Sequence, residues 1–501
     1  MRATWQRMRE AVMPAARGPR ARGLPLALAV SVAVCWLLLL VMAVLAAEYG
    51  YWRPDTWQYL DTPRNEFEYN YRWLVPIFYY GLKWMPSYAA WLLAGLLYGY
   101  FGYGWARRHM RGAPWDSRLL ALLAVGLILI NPGLQDQLTW PSHTLAAISI
   151  LAVMTALADR VPKVPLVLAG TLVLFGVHQS FAFLTLLFLV PGYAEQSTLS
   201  PRESLWRVIE VLCWWGCAFL LAWAVTQVIL YLYFGHIPEI YDWRQPRPAH
   251  SLAELWVNLL RNAAVMVLRL RQFYTGWAAI AGGALVAAAL VAGVWRKTEG
   301  TACHAHLMLY GLCLYAAPYV VTAPVGTAVP FRLTLIFGPA AVLLMFSAMA
   351  CVRRPVMVLL VVLASSAYPA VLTLGNMHWF GGFTAEITRS VMEIREREPR
   401  VTRGVLVDVK AFQLPDPGPE QDRDFRWGVP QVFDPIHSPY AFTSAFYASG
   451  FSKVSLCDGN QNQDAPCDRL VPAPAYTRCS TLLSQICSGG YSADGFWRVR
   501  L

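Results

Sequence analysis

Two groups of ionisable residues in this sequence have the composition of a site that moves protons and binds anions. The first lies at 51–73, where aspartates, glutamates and arginines stand among aromatic residues. Its acids are Asp55, Asp61, Glu66 and Glu68. The second consists of arginines spread over 244–271, together with Arg332. A carboxylate can take a proton from an attacking hydroxyl, and arginine presents a planar fork that matches phosphate oxygens. Together they indicate group transfer involving a phosphate-bearing substrate.

The elements that must position these residues are membrane helices. The chain has 501 residues, of which 57% are hydrophobic and only 14% charged, whereas a soluble domain is about a quarter charged. Its 21 tryptophans and 24 tyrosines fit a membrane protein, because amphipathic rings favour the membrane–water interface. The net charge of +11 comes mainly from short loops between apolar runs. We therefore expect membrane lipids and no nucleic acid among the partners.

The N-terminal region predicts an uncleaved first helix. Residues 1–24 form a basic segment with six arginines and one acid, and 25–47 follow without a charge. This apolar run is too long for a signal peptide and has the length of a spanning helix, about 20 residues. We predict that residues 1–24 are cytoplasmic.

Apolar windows predict an all-α polytopic fold of about eleven spans within residues 25–374. A semi-embedded segment, 72–86, precedes the second span. The spans are 25–47, 88–104, 118–134, 143–158, 164–178, 180–194, 205–234, 275–295, 306–323, 330–351 and 354–374. Arginine and lysine then concentrate in the loops on the N-terminal side of the membrane, while the opposite loops 131–142, 177–180 and 323–331 contain neither. This distribution satisfies the positive-inside rule.

The tail, residues 375–501, is predicted to be a small extracytoplasmic domain of α/β or irregular structure. A charged helix is expected at 384–398 and a short buried strand at 404–409. Four cysteines lie close together in this polar region, at Cys457, Cys467, Cys479 and Cys487. Their spacing lacks the CxxC pairs of a zinc site, and an even number of close cysteines favours disulfides in an oxidising compartment. We expect disulfides between them, with the connectivity open.

This topology gathers the ionisable residues on the outer side of the membrane. Ionisable groups at membrane depth are costly and usually line an enclosed or water-filled cavity. His178 and Gln179 interrupt an apolar stretch, and Arg332 begins a span after a Gly/Pro-rich re-entry. The set of candidate binding residues is Arg72, His178, Gln179, Arg269, Arg271 and Arg332. Together with the acids after the first helix, they favour glycosyl transfer from a lipid-phosphate sugar, where cations stabilise the departing phosphate. No Walker A, GxGxxG or HExxH motif is present.

The stretches "YWRPDTWQYLD" and "NYRWLVPIFYYGL", with "VHQSF" and "PFRLTL" farther on, resemble the GT-C superfamily of integral-membrane glycosyltransferases. The resemblance extends loosely to bacterial O-antigen glucosyltransferase II and EpsG-type polysaccharide proteins. It implies that the acid of the first outer loop is the catalytic base, which by position is Asp55, with Asp61 as runner-up. The chain has a lone PDT where those groups have an acidic pair, so metal dependence stays open, with a divalent metal ion as one possibility. The implied partners are a polyprenyl-phosphate sugar donor and a surface-glycan or lipid-linked acceptor.

Structural explanations compete with these assignments. Asp55 has the sequence context of a helix cap, Arg72 could extend to the interface, and Arg269 and Arg271 could line a surface helix. Two other functions also fit: a repeat-unit polymerase or ligase of surface polysaccharide, and a non-enzymatic carrier of lipid-linked glycans. A carrier is expected to show inverted repeats, and none is evident. The positive-inside bias and the oxidised tail favour a bacterial inner membrane with a periplasmic C-terminus.

Overall fold

The computed structural model is mostly helical. It describes residues 23–49, 71–82, 87–113, 115–138, 141–196, 199–237, 247–274, 301–326, 329, 331–351, 355–397, 404–408, 454–457, 470–472, 490–492 and 496–500. The predicted acids Asp55 and Asp61 and the predicted span 275–295 lie outside these ranges.

Fifteen α-helices are formed within the described ranges. They are α1 (Gly23–Tyr49), α2 (Val75–Leu82), α3 (Ser87–His109), α4 (Ser117–Leu129), α5 (Pro132–Leu138), α6 (Pro141–Leu157), α7 (Lys163–Val177), α8 (Gln179–Ala182), α9 (Leu186–Leu189), α10 (Tyr193–Gln196), α11 (Pro201–Phe234), α12 (Leu252–Phe273), α13 (Thr301–Val321), α14 (Phe337–Cys351) and α15 (Pro355–Arg397). Two 3-10 helices, Phe183–Thr185 and Phe331–Ile336, connect α8 to α9 and lead into α14.

Three of the described helices contain stretches long and apolar enough to cross a membrane: Pro25–Glu48, Arg202–Phe234 and Val356–Gly375. A fourth span results if α4 and α5, which meet at an angle of 64°, count as one. Shorter apolar helices of 10–17 residues lie at Thr144–Leu157, Lys163–Val177, Gln179–Leu189, Leu307–Val321 and Leu333–Met349. These apolar helices support the prediction that the chain is a membrane protein.

Local sequence signals explain where the longest single-pass candidate, α11, begins and ends. Ser200 and Glu203 form a reciprocal capping box at its start, and Pro201 occupies its first turn, where the missing N–H costs nothing. At its other end Gly235 adopts a left-handed conformation with φ 75°, which glycine tolerates without strain. The helix is therefore bounded at both ends by its own sequence.

The core lies where α3 meets the broken segment α8–α9. Tyr98 and Phe101 on α3 are fully buried. The ring of Tyr98 meets Phe181 edge-on with centroids 6.4 Å apart, and that of Phe101 lies 5.8 Å from Phe188. Around this centre α3 packs on α4 and α6, and α1 packs on α4 and α15. Aromatic pairs of this kind contribute beyond the area they bury, so they fix the broken segment against α3.

Four of the predicted helices have different bounds in the structure. The predicted span 118–134 breaks after Ile130, because Asn131 caps a new helix, α5. The predicted span 180–194 is two short helices joined by a 3-10 turn. The predicted helices 354–374 and 384–398 form one continuous helix, α15, because Gly375 and the residues around it do not interrupt its hydrogen-bonding pattern.

Five short strands follow α15 in the chain. They are β1 (Gly404–Asp408), β2 (Val454–Cys457), β3 (Leu470–Pro472), β4 (Gly490–Ser492) and β5 (Phe496–Arg500), arranged in the order β2-β1-β5-β4-β3. Strand β1 is parallel to both β2 and β5, with Val405 paired to Val454 and to Trp497. Strand β4 is antiparallel to β5 and β3. Parallel neighbours need long crossovers, which the chain provides between β1 and β2.

Candidate functional site

The bend between α4 and α5 is held by the side chain of Asn131. Its Oδ1 accepts hydrogen bonds from the backbone N–H groups of Gly133 (2.7 Å) and Leu134 (3.1 Å), as a helix cap does. Its Nδ2 donates to the carbonyl of Thr334, 3.1 Å away. Asn131 therefore starts α5 and ties it to the 3-10 helix Phe331–Ile336.

Gly133 lets these two elements approach closely. A Cβ atom at this position would lie 2.2 Å from Thr334 Oγ1 and 2.6 Å from the backbone nitrogen of Leu335. Only glycine fits such an approach. We call the region where α5 and the 3-10 helix Phe331–Ile336 meet the α5 end of the bundle.

A buried acid and a partly exposed arginine interact electrostatically at the α5 end. Asp136 on α5 is 4% exposed. Burial lowers the pKa of Arg269 on α12, while the charges of Tyr319 and Asp136 act in the opposite direction. Asp136 is thus within electrostatic reach of the Arg269 guanidinium. The opposite charge of Asp136 therefore partly offsets the cost of burying the Arg269 guanidinium.

A second buried pair joins Arg72 to His178. The Arg72 guanidinium lies 3.4 Å from His178 Nε2. A guanidinium only donates, so Nε2 is the acceptor and the imidazole carries its proton on Nδ1. His178 itself is extended, with φ −160°, and separates α7 from α8. The carbonyl of Gly176 accepts from the backbone N–H of Leu74, which fixes the approach of the two side chains.

The helices bring these two pairs to the same end of the bundle. Helix α8, which begins next to His178, packs on the 3-10 helix Phe331–Ile336, and this helix packs on α5. Helix α12 packs on α13, which carries Tyr319. The described part of the site therefore combines a carboxylate, two arginines and a histidine: Asp136, Arg269, Arg72 and His178.

An apolar cavity of about 750 Å³ adjoins this end. It lies between α4, α12, α13, α14 and α15, and Leu127, Leu270, Phe273, Phe337 and Leu344 are among its wall residues. Polar groups on its wall are few: Asn131, Arg271, Tyr274, Tyr315, Ser365 and Ser366. The hydroxyls of Tyr274 and Tyr315 are hydrogen-bonded to each other at 2.7 Å. A cavity with such walls suits a hydrocarbon chain that carries a polar group at one end.

The structure brings together some of the predicted binding residues and separates others. Arg72 and His178 are in contact, and Gln179 begins α8 beside them. Arg269 and Arg271, predicted as a phosphate-binding pair, diverge: Arg269 faces Asp136, whereas the exposed Arg271 lies at the cavity wall. Arg332 lies in the 3-10 helix at the α5 end, and its side chain is outside the described part.

Asp136 is a buried acid whose place in the candidate site could not be predicted from the sequence. It stands between two glutamines in "NPGLQDQLTW", in the predicted outer loop 131–142, and is not among the predicted site residues. The signal that could have singled it out is the helix break at Asn131-Pro132, which places all seven residues of α5 in a buried position.

The cysteine predictions fall outside the described side chains. The thiols that the structure does describe, Cys35, Cys213, Cys217 and Cys313, are free. Cys457 ends β2, while the other three tail cysteines lie outside the described ranges. The predicted disulfides therefore stay predictions.

The chain matches no protein-family model, no curated protein and no solved structure. Within the described ranges, no three of the side chains of histidine, cysteine, aspartate and glutamate come together as a metal site would require. The α5 end and the adjoining cavity are therefore the structural features that bear on the function of the protein.

Proposed function

We propose that the protein is a membrane glycosyltransferase that moves a sugar from a polyprenyl-phosphate donor to a surface-glycan or lipid-linked acceptor. The observation that carries the proposal is the apolar cavity with Arg271 at its wall, near the buried Asp136 and the Arg269 guanidinium with which Asp136 interacts electrostatically. A polyprenyl chain is a hydrocarbon, and its phosphate requires a cation at the end of the cavity. Departure of the lipid phosphate leaves negative charge that arginine stabilises.

In this proposal each of the site residues has a separate role in the reaction. Asp55, or Asp61 in its place, takes the proton from the acceptor hydroxyl. Arg271 and Arg332 bind the donor phosphate, and Arg269 extends the positive potential of that region while holding Asp136 ionised. Arg72, His178 and Gln179 contact the sugar. The GT-C resemblance supports the placement of the base, and the cavity supports the lipid donor.

The proposal includes the topology expected from the sequence: about eleven spans in a bacterial inner membrane, with the α5 end and the tail, a small α/β or irregular domain, on the periplasmic side. The shorter described helices rise about 22 Å over 15 residues, less than the roughly 30 Å of a hydrocarbon core. Two such helices joined at a bend, as α4 and α5 are, can together cross the membrane once. The number of membrane spans is therefore to be determined by experiment.

The phosphate assignment is tested with Arg271→Ala and Arg271→Lys, assayed in membranes for transfer of radiolabelled sugar from polyprenyl phosphate to glycan. Arg271→Ala should lower the rate by on the order of 10²–10³-fold. Arg271→Lys should recover only part of the lost transfer rate, because lysine lacks the bidentate fork of arginine. Arg118→Ala, on the opposite end of α4, is the matched control and should keep its rate. Unchanged transfer in Arg271→Ala at normal membrane levels would remove Arg271 from the site.

The base is tested separately with Asp55→Asn and Asp61→Asn in a deletion strain at matched expression. Asp55→Asn should lower transfer by about 10²–10⁴-fold while donor binding survives, and Asp61→Asn should have a mild effect. A loss confined to Asp61→Asn would move the role there. If both variants still transport lipid-linked glycan and no variant changes the linkages formed, the carrier function replaces the enzyme.

A further inference from the structure

Helix α12 turns its polar residues toward the protein. Asn258 donates from its amide to the carbonyls of Arg247 (2.9 Å) and Ala323 (3.1 Å). Asn262 donates to the carbonyl of Tyr319 at 2.8 Å. The guanidinium of Arg261 donates to the carbonyl of Gly326. These contacts hold α12 against the end of α13 and the turn that follows it.

The turn after α13, which accepts these hydrogen bonds, fixes the position of α12 relative to the end of α13. Gly326 adopts φ 62° and lies so close to the carbonyl carbon of Arg247 that a Cβ atom would be 2.7 Å from it. The backbone N–H of Ala249 also donates to the carbonyl of Pro324. The beginning of α12 is therefore held at the place where the apolar helix α13 ends.

The opposite face of α12 is apolar and exposed in the described part of the chain. Its large side chains are Leu252, Trp256, Val257, Leu260, Val267 and Leu268, each about half exposed or more. Between Glu254 and Arg269 the helix has one charged residue, Arg261, and its guanidinium faces the protein. A helix on the surface of a soluble protein shows the reverse arrangement.

This face continues onto the neighbouring helix. Val320 and Val321, in the last turn of α13, are also exposed, and α12 and α13 pack against each other. An apolar helix such as α13 shows its outer side chains to hydrocarbon when it lies in a membrane. The exposed face of α12 thus extends a surface that lipid covers.

We propose that α12 lies in the plane of the membrane at the α5 end, with its apolar face among the acyl chains of phospholipids. Amphipathic helices that lie along an interface bury their apolar face at the boundary of the headgroups and chains. Trp256 has the ring that anchors such helices at this level. The occupant of the face is therefore phospholipid, rather than a second copy of the chain.

The predicted outer segment 235–274 departs from the positive-inside pattern because it carries five arginines, and the position of α12 accounts for two of them. Arg261 and Arg269 are turned inward to a carbonyl and an acid, so neither opposes the membrane orientation. Five residues in the last two turns of α12 line one wall of the cavity: Met266, Val267, Leu270, Arg271 and Phe273. The helix consequently separates surrounding lipid from the cavity along this wall. This inference does not depend on the chemistry proposed for the site.

Photo-cross-linking in reconstituted phosphatidylcholine vesicles tests the inference. Benzoylphenylalanine is placed singly at Val257, Leu260 and Leu268 on the apolar face, and at His250, which is exposed just before α12. After irradiation, mass spectrometry of the peptides should find phospholipid adducts at the three helix positions and only background at His250. Cross-links to a second copy, or to another segment of the same chain, would overturn the proposal, as would equal adducts at His250.

A second variant keeps the test independent of folding. Leu260→Glu places a charge on the apolar face and should abolish the adducts at Val257 and Leu268, whereas Leu260→Phe should retain them. Circular dichroism and gel filtration check that both variants keep the fold. Retained adducts in the folded Leu260→Glu protein would mean that the face lies outside the acyl chains.

Discussion

Residues two positions apart on one helix have opposite environments in this protein. Arg269 and Arg271 are separated by about 200° around α12, so one meets the buried Asp136 and the other reaches the cavity wall. A single arginine of this pair cannot substitute for the other. Their effects are therefore separable by mutation, as charge balance with Asp136 for Arg269 and the proposed phosphate contact for Arg271.

The charge-balance role predicts a large loss of stability in Arg269→Gln. Removing this guanidinium leaves Asp136 buried with less compensation, and breaking such a pair costs about 3–5 kcal/mol. Thermal unfolding in detergent should show the loss, and the double variant Arg269→Gln/Asp136→Asn should recover most of it. Equal losses in the single and double variants would mean that the two charges are not coupled.

The close approach at Gly133 predicts a steric effect of a single methyl group. Gly133→Ala must push the 3-10 helix away from α5, and overpacking of this kind costs about 1–3 kcal/mol. Gly95→Ala is the matched control, because a Cβ atom there has no atom within 4 Å. The melting temperature should fall for Gly133→Ala and stay level or rise for Gly95→Ala. No difference between the two would contradict the packing described here.

At the scale of elements, ion pairs join three helices at the end of the bundle opposite α5. Glu195 on α10 accepts from Lys163 at the start of α7 (3.3 Å) and from Arg207 on α11 (3.0 Å). Arg207 also pairs with Glu210, 2.6 Å away. Because α10 is a single turn, these contacts connect it to its two longer neighbours.

These contacts predict a pH-dependent stability that Glu195→Gln removes. Burial alone would raise the pKa of Glu195, but hydrogen bonds and charges from Arg207 and Lys163 lower it overall. The stabilisation is therefore present above the ordinary glutamate pKa of about 4.3 and is lost as the pH falls through the folded value. The side chain is 39% exposed, so the effect is below about 1 kcal/mol. Melting temperatures of the two proteins should differ at pH 7 and converge in acid; a constant difference would contradict the prediction.

Helices could be predicted from the sequence where a local run of apolar residues defines them. Apolar runs placed α1, α7 and α11 within a few residues of their bounds, because length and composition alone define such helices. The break before α5 was missed, since it depends on Asn131 and on contact with Thr334, about two hundred residues later. The inward turn of Arg269 was missed for the same reason: its partner, Asp136, is distant in sequence.

At the scale of the whole molecule, three or four of the described helices are long and apolar enough to cross a membrane, and the orientation of the chain is a prediction that can be measured. The positive-inside pattern predicts that the N-terminus is cytoplasmic and the tail periplasmic. Alkaline phosphatase fused at the C-terminus should be active, and fused at Arg111 it should be inactive. Non-reducing mass spectrometry should find disulfides among the four tail cysteines. An inactive C-terminal fusion together with free thiols would reverse the orientation.

Helix α15 has a length that no membrane requires. Its 43 residues rise about 65 Å, more than twice the thickness of a hydrocarbon core of about 30 Å. Its apolar stretch ends at Gly375, so the remaining 22 residues extend about 33 Å beyond it. The helix therefore continues beyond its apolar stretch by about the thickness of a hydrocarbon core, and the strands that follow residue 397 are separated from that stretch by a helical rod of this length.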